Sequence, residues 1–298
     1  VPADAEGYVR VRRLALPALV STPRSVLHDL AHARPAARLR RLVAEADGEI
    51  VGTADAGLAH DSPEPGQGFL NVYVHPGRTR RGAGALLARA GEEHLAAHGA
   101  ARVFAWVLDE PEHRGFAERR GYRASRSAHF LRLDLAHGTL PPLQDPPPGV
   151  ELRTAADFAG DPRPLFELDA ETTADEPGDV GAELTDYEAW IEETWGHPLL
   201  DPGLTTVAVV DGRPVAFTAA RADGATRYVS GMTGTARAFR GRGLAKFVKN
   251  ASLHRARAAG YREAYTGNDT GNGPMLAVNR WFGYEICATE VRYVRELD

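Results

Sequence analysis

The amino-acid sequence predicts an α/β (α+β) protein made of two tandem copies of one domain, and three observations lead there. The chain has 298 residues, about two domain lengths. A joint near the middle, Gly138 to Gly149, reads GTLPPLQDPPPG, and its five prolines remove backbone donors and favour extended polyproline geometry. On both sides of that joint the same succession recurs: helical stretches, a strand pair about an Asp-Gly turn, a further strand, a Gly-rich basic loop, a helix, a strand, a short helix and a final strand. The repeat is too long for a solenoid unit and reads as duplication of a whole domain. The predicted division is a first domain at 1–137, a semi-rigid linker at 138–149 and a second domain at 150–298.

Taken in order, Pro2 to Leu16 reads as a turn and a helix. Val1 is not an initiator methionine, so the natural chain is expected to start earlier and the first half to lack an opening strand. Arg40 to Ala46 and Glu49 to Ala56 flank Asp47-Gly48, a strong hairpin signal; Thr205 to Val210 and Pro214 to Ala220 repeat it around Asp211-Gly212. Phe69 to Val74 and Tyr228 to Thr235 follow, each leading into arginines and glycines. Ala83 to Ala97 and Leu244 to Ala259 read as amphipathic helices closed by Gly99 and Gly260. Arg102 to Leu108 and Glu263 to Gly267 come next as strands.

Composition narrows the class of function. Hydrophobic content of 43% and charged content of 25% are those of a globular protein. A formal net charge of −5 gives no global attraction to nucleic acid or anionic membranes. Cys287 is the only cysteine, which excludes an intramolecular disulfide and fits a reducing cytoplasm. No apolar run approaches the ~20 residues needed to cross a bilayer. The histidines, His197 and His254 among them, show no ligand spacing such as H-E-x-x-H, so no metal is expected. A monomer or homodimer is the expected assembly.

The segment Arg240-Gly241-Arg242-Gly243-Leu244-Ala245 carries the chemistry. It stands where a strand ends and a helix begins. Glycines let the backbone approach an anion, the first helical N–H groups lack partners, and the helix dipole favours negative charge there. Arg237, Arg240, Arg242, Lys246 and Lys249 add positive charge, and arginine binds phosphate oxygens in a bidentate way. A pyrophosphate fits; the alternative is a solvated basic helix start with glycines serving only the turn.

The spacing R-x-x-G-x-A resembles the acetyl-CoA loop of the GNAT superfamily, in the tandem two-domain form. The resemblance implies two twisted, mixed and mainly antiparallel sheets flanked by helices, acetyl-CoA or another acyl-CoA as cofactor, and N-acetylation of a small-molecule amine by direct attack. It implies that Met232, Thr233, Gly234 and Thr235 lie where the sheet splays and backbone pairs with the pantetheine arm. Asn268, Asn272 and Asn279, leading into Phe282-Gly283-Tyr284, resemble the family's closing segment, with Asn272 on the CoA arm. Asn279 stands where many relatives place the tyrosine that protonates the leaving thiolate; asparagine can hydrogen-bond the sulfur but is no acid.

In the first half Thr79 replaces the expected Arg or Gln. Glu110 takes the asparagine position and Ala117 the tyrosine position. This half reads as degenerate, with Val74, Arg80, Arg81, Gly82, Ala83 and Gly84 as a candidate CoA cradle.

Neither fourth strand carries the glutamate that many relatives use as base. From Glu151 to Leu200, fourteen carboxylates face only Arg153 and Arg163. Asp169, Glu171, Asp175 and Glu176 lie around the loop between the first two helices of the second half. These four are candidates to attract a cationic amine and take its proton, Asp175 and Glu176 foremost; a solvated acidic face is the alternative. Tyr187, Trp190 and Trp195 recur at near-helical spacing and are expected to pack on the sheet. The rival readings are a transferase using a different acyl-CoA and a protein that senses CoA without turnover.

Overall fold

The structure, a computed structural model, describes residues 2–60, 62, 64–175 and 184–297. The chain forms two compact units, residues 1–129 with 288–298, and residues 130–287. They do not follow a serial cut at 138–149, because each unit closes with a strand from the other half of the sequence. The joint itself is no free linker. Within the second unit Leu140 is buried against Leu253 and Ala256, and Asn250 donates to the carbonyl of Pro142 at 3.2 Å while its Oδ1 accepts from the amide of Gln144 at 2.9 Å. Prolines leave carbonyls without neighbouring amide donors, and the side chains of one helix supply them.

The first unit runs α1 (Ala5–Ala15), α2 (Pro23–Ala31), β1 (Arg40–Ala46), β2 (Glu49–Leu58), β3 (Gln67–Val74), α3 (Ala83–Ala97), β4 (Arg102–Leu108) and α4 (Pro111–Arg119). Next, β5 (Arg123–Asp134) enters the second unit, which continues with β6 (Glu151–Thr154), α5 (Arg163–Thr173), α6 (Tyr187–Trp190), β7 (Thr206–Val210), β8 (Arg213–Ala222), β9 (Arg227–Thr235), α7 (Leu244–Ala258), β10 (Glu263–Asp269) and α8 (Gly273–Trp281). The last strand, β11 (Glu285–Glu296), returns to the first unit. Among the described residues the first unit has no counterpart of β6.

Strand order is β1-β2-β3-β4-β11 in the first unit and β6-β7-β8-β9-β10-β5 in the second. The Asp-Gly turns form as the sequence requires: Asp47 and Gly48 take φ 55° and 76°, and Asp211 and Gly212 take 49° and 77°. Alternating apolar residues then bury one core per sheet face, with Val51, Leu70, Leu87, Leu95 and Val103 in the first unit. In the second, Val207, Val209, Phe217 and Trp190 pack together, with Tyr187 and Trp195 against them.

The feature that makes room for a site is a parallel pair in each sheet. β3 pairs with β4 only from Gln67↔Arg102 to Phe69↔Phe104, and β9 with β10 only from Arg227↔Glu263 to Val229↔Tyr265. Both strands of each pair continue for several residues beyond, so the ladder opens. In the first unit the side chain of Asn71 spans the gap, accepting from the amide of Trp106 at 2.9 Å. In the second, Thr266 donates across it to the carbonyl of Ser230 at 3.1 Å.

Candidate functional site

In the second unit β9 leads through one tight turn, Arg237–Phe239, to Arg240 and then to α7. Gly241 and Gly243 sit at φ +77° and +76°, backbone that costs a side-chain-bearing residue about 1–2 kcal/mol. Gly243 caps α7 with no side chain over the helix end. The amides of Leu244, Ala245 and Lys246 therefore remain without intrahelical partners, facing the positive end of the dipole. A Cβ on either glycine would meet nothing within 4 Å, so it is the left-handed backbone and not crowding that calls for glycine here. Beside the loop, Thr233, Gly234 and Thr235 pair with β8 on one edge of β9, while the edge toward β10 has left its ladder. Met232 packs with the aromatic cluster and Thr233 bonds Thr218 at 3.1 Å.

The charge around this loop differs from the expectation. Asp175 holds Arg237 through bonds of 2.7 and 2.8 Å and also binds Arg240, and Glu171 accepts the backbone N–H of Arg237 at 2.6 Å. Hydrogen bonds from Arg237 and Arg240 hold the Asp175 carboxyl down at about 2, which makes it a poor base at neutral pH. Its position, set by the end of α5, is that of a counter-ion to the loop. Glu176 lies outside the described residues. Arg242 covers the ring of Phe239 at 4.9 Å and Lys246 that of Trp281 at 4.3 Å. Lys249 faces inward with 1% exposure, burial pushes its pKa down to about 7, and its Nζ is held by Asn279 inside the unit.

The asparagines have structural partners. Asn272 caps α8, its Oδ1 accepting from the amide of Met275 at 3.2 Å. Asn279 is fully buried; its Oδ1 accepts from Lys249 Nζ at 2.6 Å and its Nδ2 donates to Asn268 Oδ1. Both ends of the amide expected to meet a thiolate are thus engaged inside the unit. Asp169 is likewise buried, accepting from Trp190 Nε1 at 2.8 Å, with burial raising its pKa.

The first unit repeats the loop's backbone with other side chains. Arg80 takes φ +60° and Gly82 +91°, and Gly82 caps α3. From this loop a cavity of about 910 Å³ leads between the parted β3 and β4. Val74, Arg80, Gly82, Ala83 and Gly84 line it; Arg81 lines an adjoining hollow of about 440 Å³. Arg80 is also paired with Glu112 at 2.7 Å. Ala117 stands on the cavity wall and leaves open the space a tyrosine would fill.

Further along the cavity are Tyr73, Trp106, Leu108 and, from β11, Glu290, which pairs with Leu108 in the antiparallel ladder. Glu290 is 4% exposed and its Oε1 has no hydrogen-bond partner among the described residues. Burial pushes its pKa up to about 7, against the downward pull of Arg12. Burial also raises the Tyr73 phenol, which stays a neutral donor. A second buried carboxylate nearby, Asp55, is saturated: it accepts from Tyr8, from Arg12 and, at 3.1 Å, from Arg41. Nothing local in the sequence signals Glu290, because its place depends on the return of β11.

A family model described as acetyltransferase (GNAT) matches residues 10–122 and 165–284. A mycothiol acetyltransferase of Thermomonospora curvata is 32% identical over 263 residues, covering 87% of this chain and 83% of the relative. One of Nocardia farcinica is 32% identical over 265 residues, covering 85% and 82%. Among solved structures, a tandem GNAT protein from the clavulanic acid biosynthesis pathway superposes with a TM-score of 0.73 at 22% identity, covering 99% of this chain and 95% of that one. A GCN5-related N-acetyltransferase from Sphaerobacter thermophilus gives 0.72 at 24%, covering 99% and 93%. Those two likenesses concern the fold.

Proposed function

The chain belongs to the acetyltransferase (GNAT) family, and from that premise we propose that it moves the acetyl group of acetyl-CoA to the primary amine of a small cationic molecule by direct attack. The observation that carries this reading is the opening of α7: two left-handed glycines, unpartnered amides and arginines on one turn. In this reading Gly241 to Lys246 hold the pyrophosphate, and the free edge of β9 at 232–235 aligns the pantetheine arm beside the gap in the sheet. Acetyl-CoA supplies an activated carbonyl. The protein contributes position, which turns a two-molecule encounter into a local one. Arg237 and Arg240 exchange Asp175 for phosphate oxygens on binding, so the loop's charge is balanced in both states. Because the relatives are named mycothiol acetyltransferase, mycothiol-related amines are the first acceptors to try, followed by polyamines, aminoglycosides and amino-sugars.

The test is thiol release from acetyl-CoA by the purified chain across that panel. The reading expects CoA formation well above hydrolysis with at least one amine. A second reading, CoA held without turnover, draws on the engaged amide of Asn279; acetyl-CoA binding with no thiol release from any amine would favour it and sink the transferase.

A further inference from the structure

We propose that the cleft of the first unit is itself an acyl-transfer centre, in which the carboxylate of Glu290 receives the acceptor ammonium and takes its proton. The inference rests on the reading that the chain uses an acyl-CoA, and it moves catalysis to the half whose loop motif looks degenerate. Three observations meet at this residue. The cavity that begins at Gly82 and Gly84 reaches Glu290, so one open space joins a phosphate cradle to a carboxylate. That carboxylate is buried with Oε1 unpartnered, an arrangement that burdens folding. Asp55, in the same unit and similarly buried, shows what a structural carboxylate looks like here, with three donors around it. Glu290 has been left available. The sequence repeat adds that Glu290 stands six residues after Tyr284, whereas Ala128 stands six after Tyr122; the carboxylate has no equivalent in the other copy.

The chemistry closes on these groups. The acceptor arrives as R–NH3+, attracted by the carboxylate, and Glu290 takes one proton. The freed lone pair attacks the thioester carbonyl carbon, a C–N bond forms, and the carbonyl oxygen bears the charge of the tetrahedral adduct beside the neutral Tyr73 hydroxyl. Collapse breaks the C–S bond; the thiolate takes the remaining excess proton of the nitrogen through water, and Glu290 releases its own to solvent. The products are R–NH–acetyl, CoA–SH and one proton. The space beside Ala117 lets water perform the step that a tyrosine performs elsewhere.

Glu290→Gln in the full chain tests this. The variant keeps shape and removes the base, so kcat/KM for the amine is expected to fall at least ~100-fold, with acetyl-CoA affinity unchanged. In the wild type kcat/KM rises with pH and levels off above about 7; in the variant that limb disappears. Among the described residues the charged and titratable groups near Glu290 include Arg12 from α1, Tyr73 from β3 and, two places along β11 over the Trp106 ring, Arg292; arginine and a buried tyrosine hold their protons through this range, while Trp106 and Leu108 from β4 do not titrate. Folding is read in parallel. Because burial raises the Glu290 pKa above its unfolded value, its ionised form destabilises the fold above about pH 7, so the variant should melt no lower than wild type at pH 8. Glu290→Met is the second variant if the first melts early. A wild-type rate and pH profile in Glu290→Gln overturns the proposal and leaves transfer to the second unit. A wild-type chain that binds no acetyl-CoA, by calorimetry, removes the proposed function and this inference together.

Discussion

In the second unit Gly241 and Gly243 take left-handed backbone ahead of α7; in the first, Arg80 and Gly82 take the same conformations ahead of α3. The side chains around the two turns have diverged. The second loop has Arg240 at the motif position but engages it with Asp175, and the tyrosine position holds Asn279, closed off by Lys249 and Asn268. The first has Thr79 instead of the arginine, yet its cleft is open and contains a buried carboxylate with one oxygen unpartnered among the described residues. A left-handed loop ahead of a helix and a buried, partly unpartnered carboxylate are thus separable features of this fold. A loop motif reports the first and is silent on the second.

The sharpest way to break the comparison is to close each cleft in turn and count binding sites. Gly84 lines the first cavity, where an added Cβ would lie 3.4 Å from Val74 and 3.8 Å from Phe116. Gly84→Phe should fill it and weaken acetyl-CoA binding there at least ~100-fold, a loss of about 2.7 kcal/mol. Gly243→Leu should do the same in the second unit by denying the left-handed turn. Calorimetry on the wild type then shows two sites and each variant one; a stoichiometry untouched by Gly84→Phe would mean that the first cleft takes no cofactor.

Lys249 gives the next largest effect, on stability. Its folded pKa, about 7, is below the ordinary 10.5, so between those values the unfolded chain binds more protons and stability rises with pH, by up to about 1.4 kcal/mol per pH unit. Below pH 7 the full cost of a buried ammonium is present. Lys249→Met should flatten that rise, as measured by urea titrations at pH 6.5 and 9; an equal slope in both proteins would show that Lys249 stays charged throughout.

The structure contains much that the sequence announces and some that it cannot. Strand pairs, helix starts and the loop at 240–245 were legible because they are local: Asp-Gly fixes a turn, and glycine before an apolar period marks a helix opening. Asp169, Asp175 and Glu176 could be read only as an acidic excess. Separating them needs tertiary contacts, since Arg237 lies 62 residues from Asp175 and Trp190 lies 21 from Asp169. Lys249 counted as one more cation until its burial set it apart. Glu290 was beyond reach, because its partner in the ladder is Leu108 and strand exchange leaves no mark in local pattern.

Two smaller measurements sharpen the contrast between the loops. Asp175→Ala frees Arg237 and Arg240 and should tighten acetyl-CoA binding in the second unit by roughly three- to tenfold at low salt, less as salt is raised; weaker binding would make Asp175 a scaffold for the turn. Arg80→Gly relieves a left-handed arginine at the cost of a floppier unfolded chain. A gain of at most about 1 kcal/mol in thermal stability is expected, and a clear loss would show that the Arg80 pair with Glu112 outweighs the strain.

The exchange of closing strands gives the first unit an unusual history. Residues 288–296 leave the ribosome only after the whole of 130–287, so the half made first must wait, with β4 uncovered along one edge, until the half made second has emerged. A chain interrupted anywhere between would display an unpaired strand and lack the carboxylate at 290. Completion of the amino-terminal unit is thereby tied to complete translation, and expressing residues 1–137 alone should yield insoluble or chaperone-bound material.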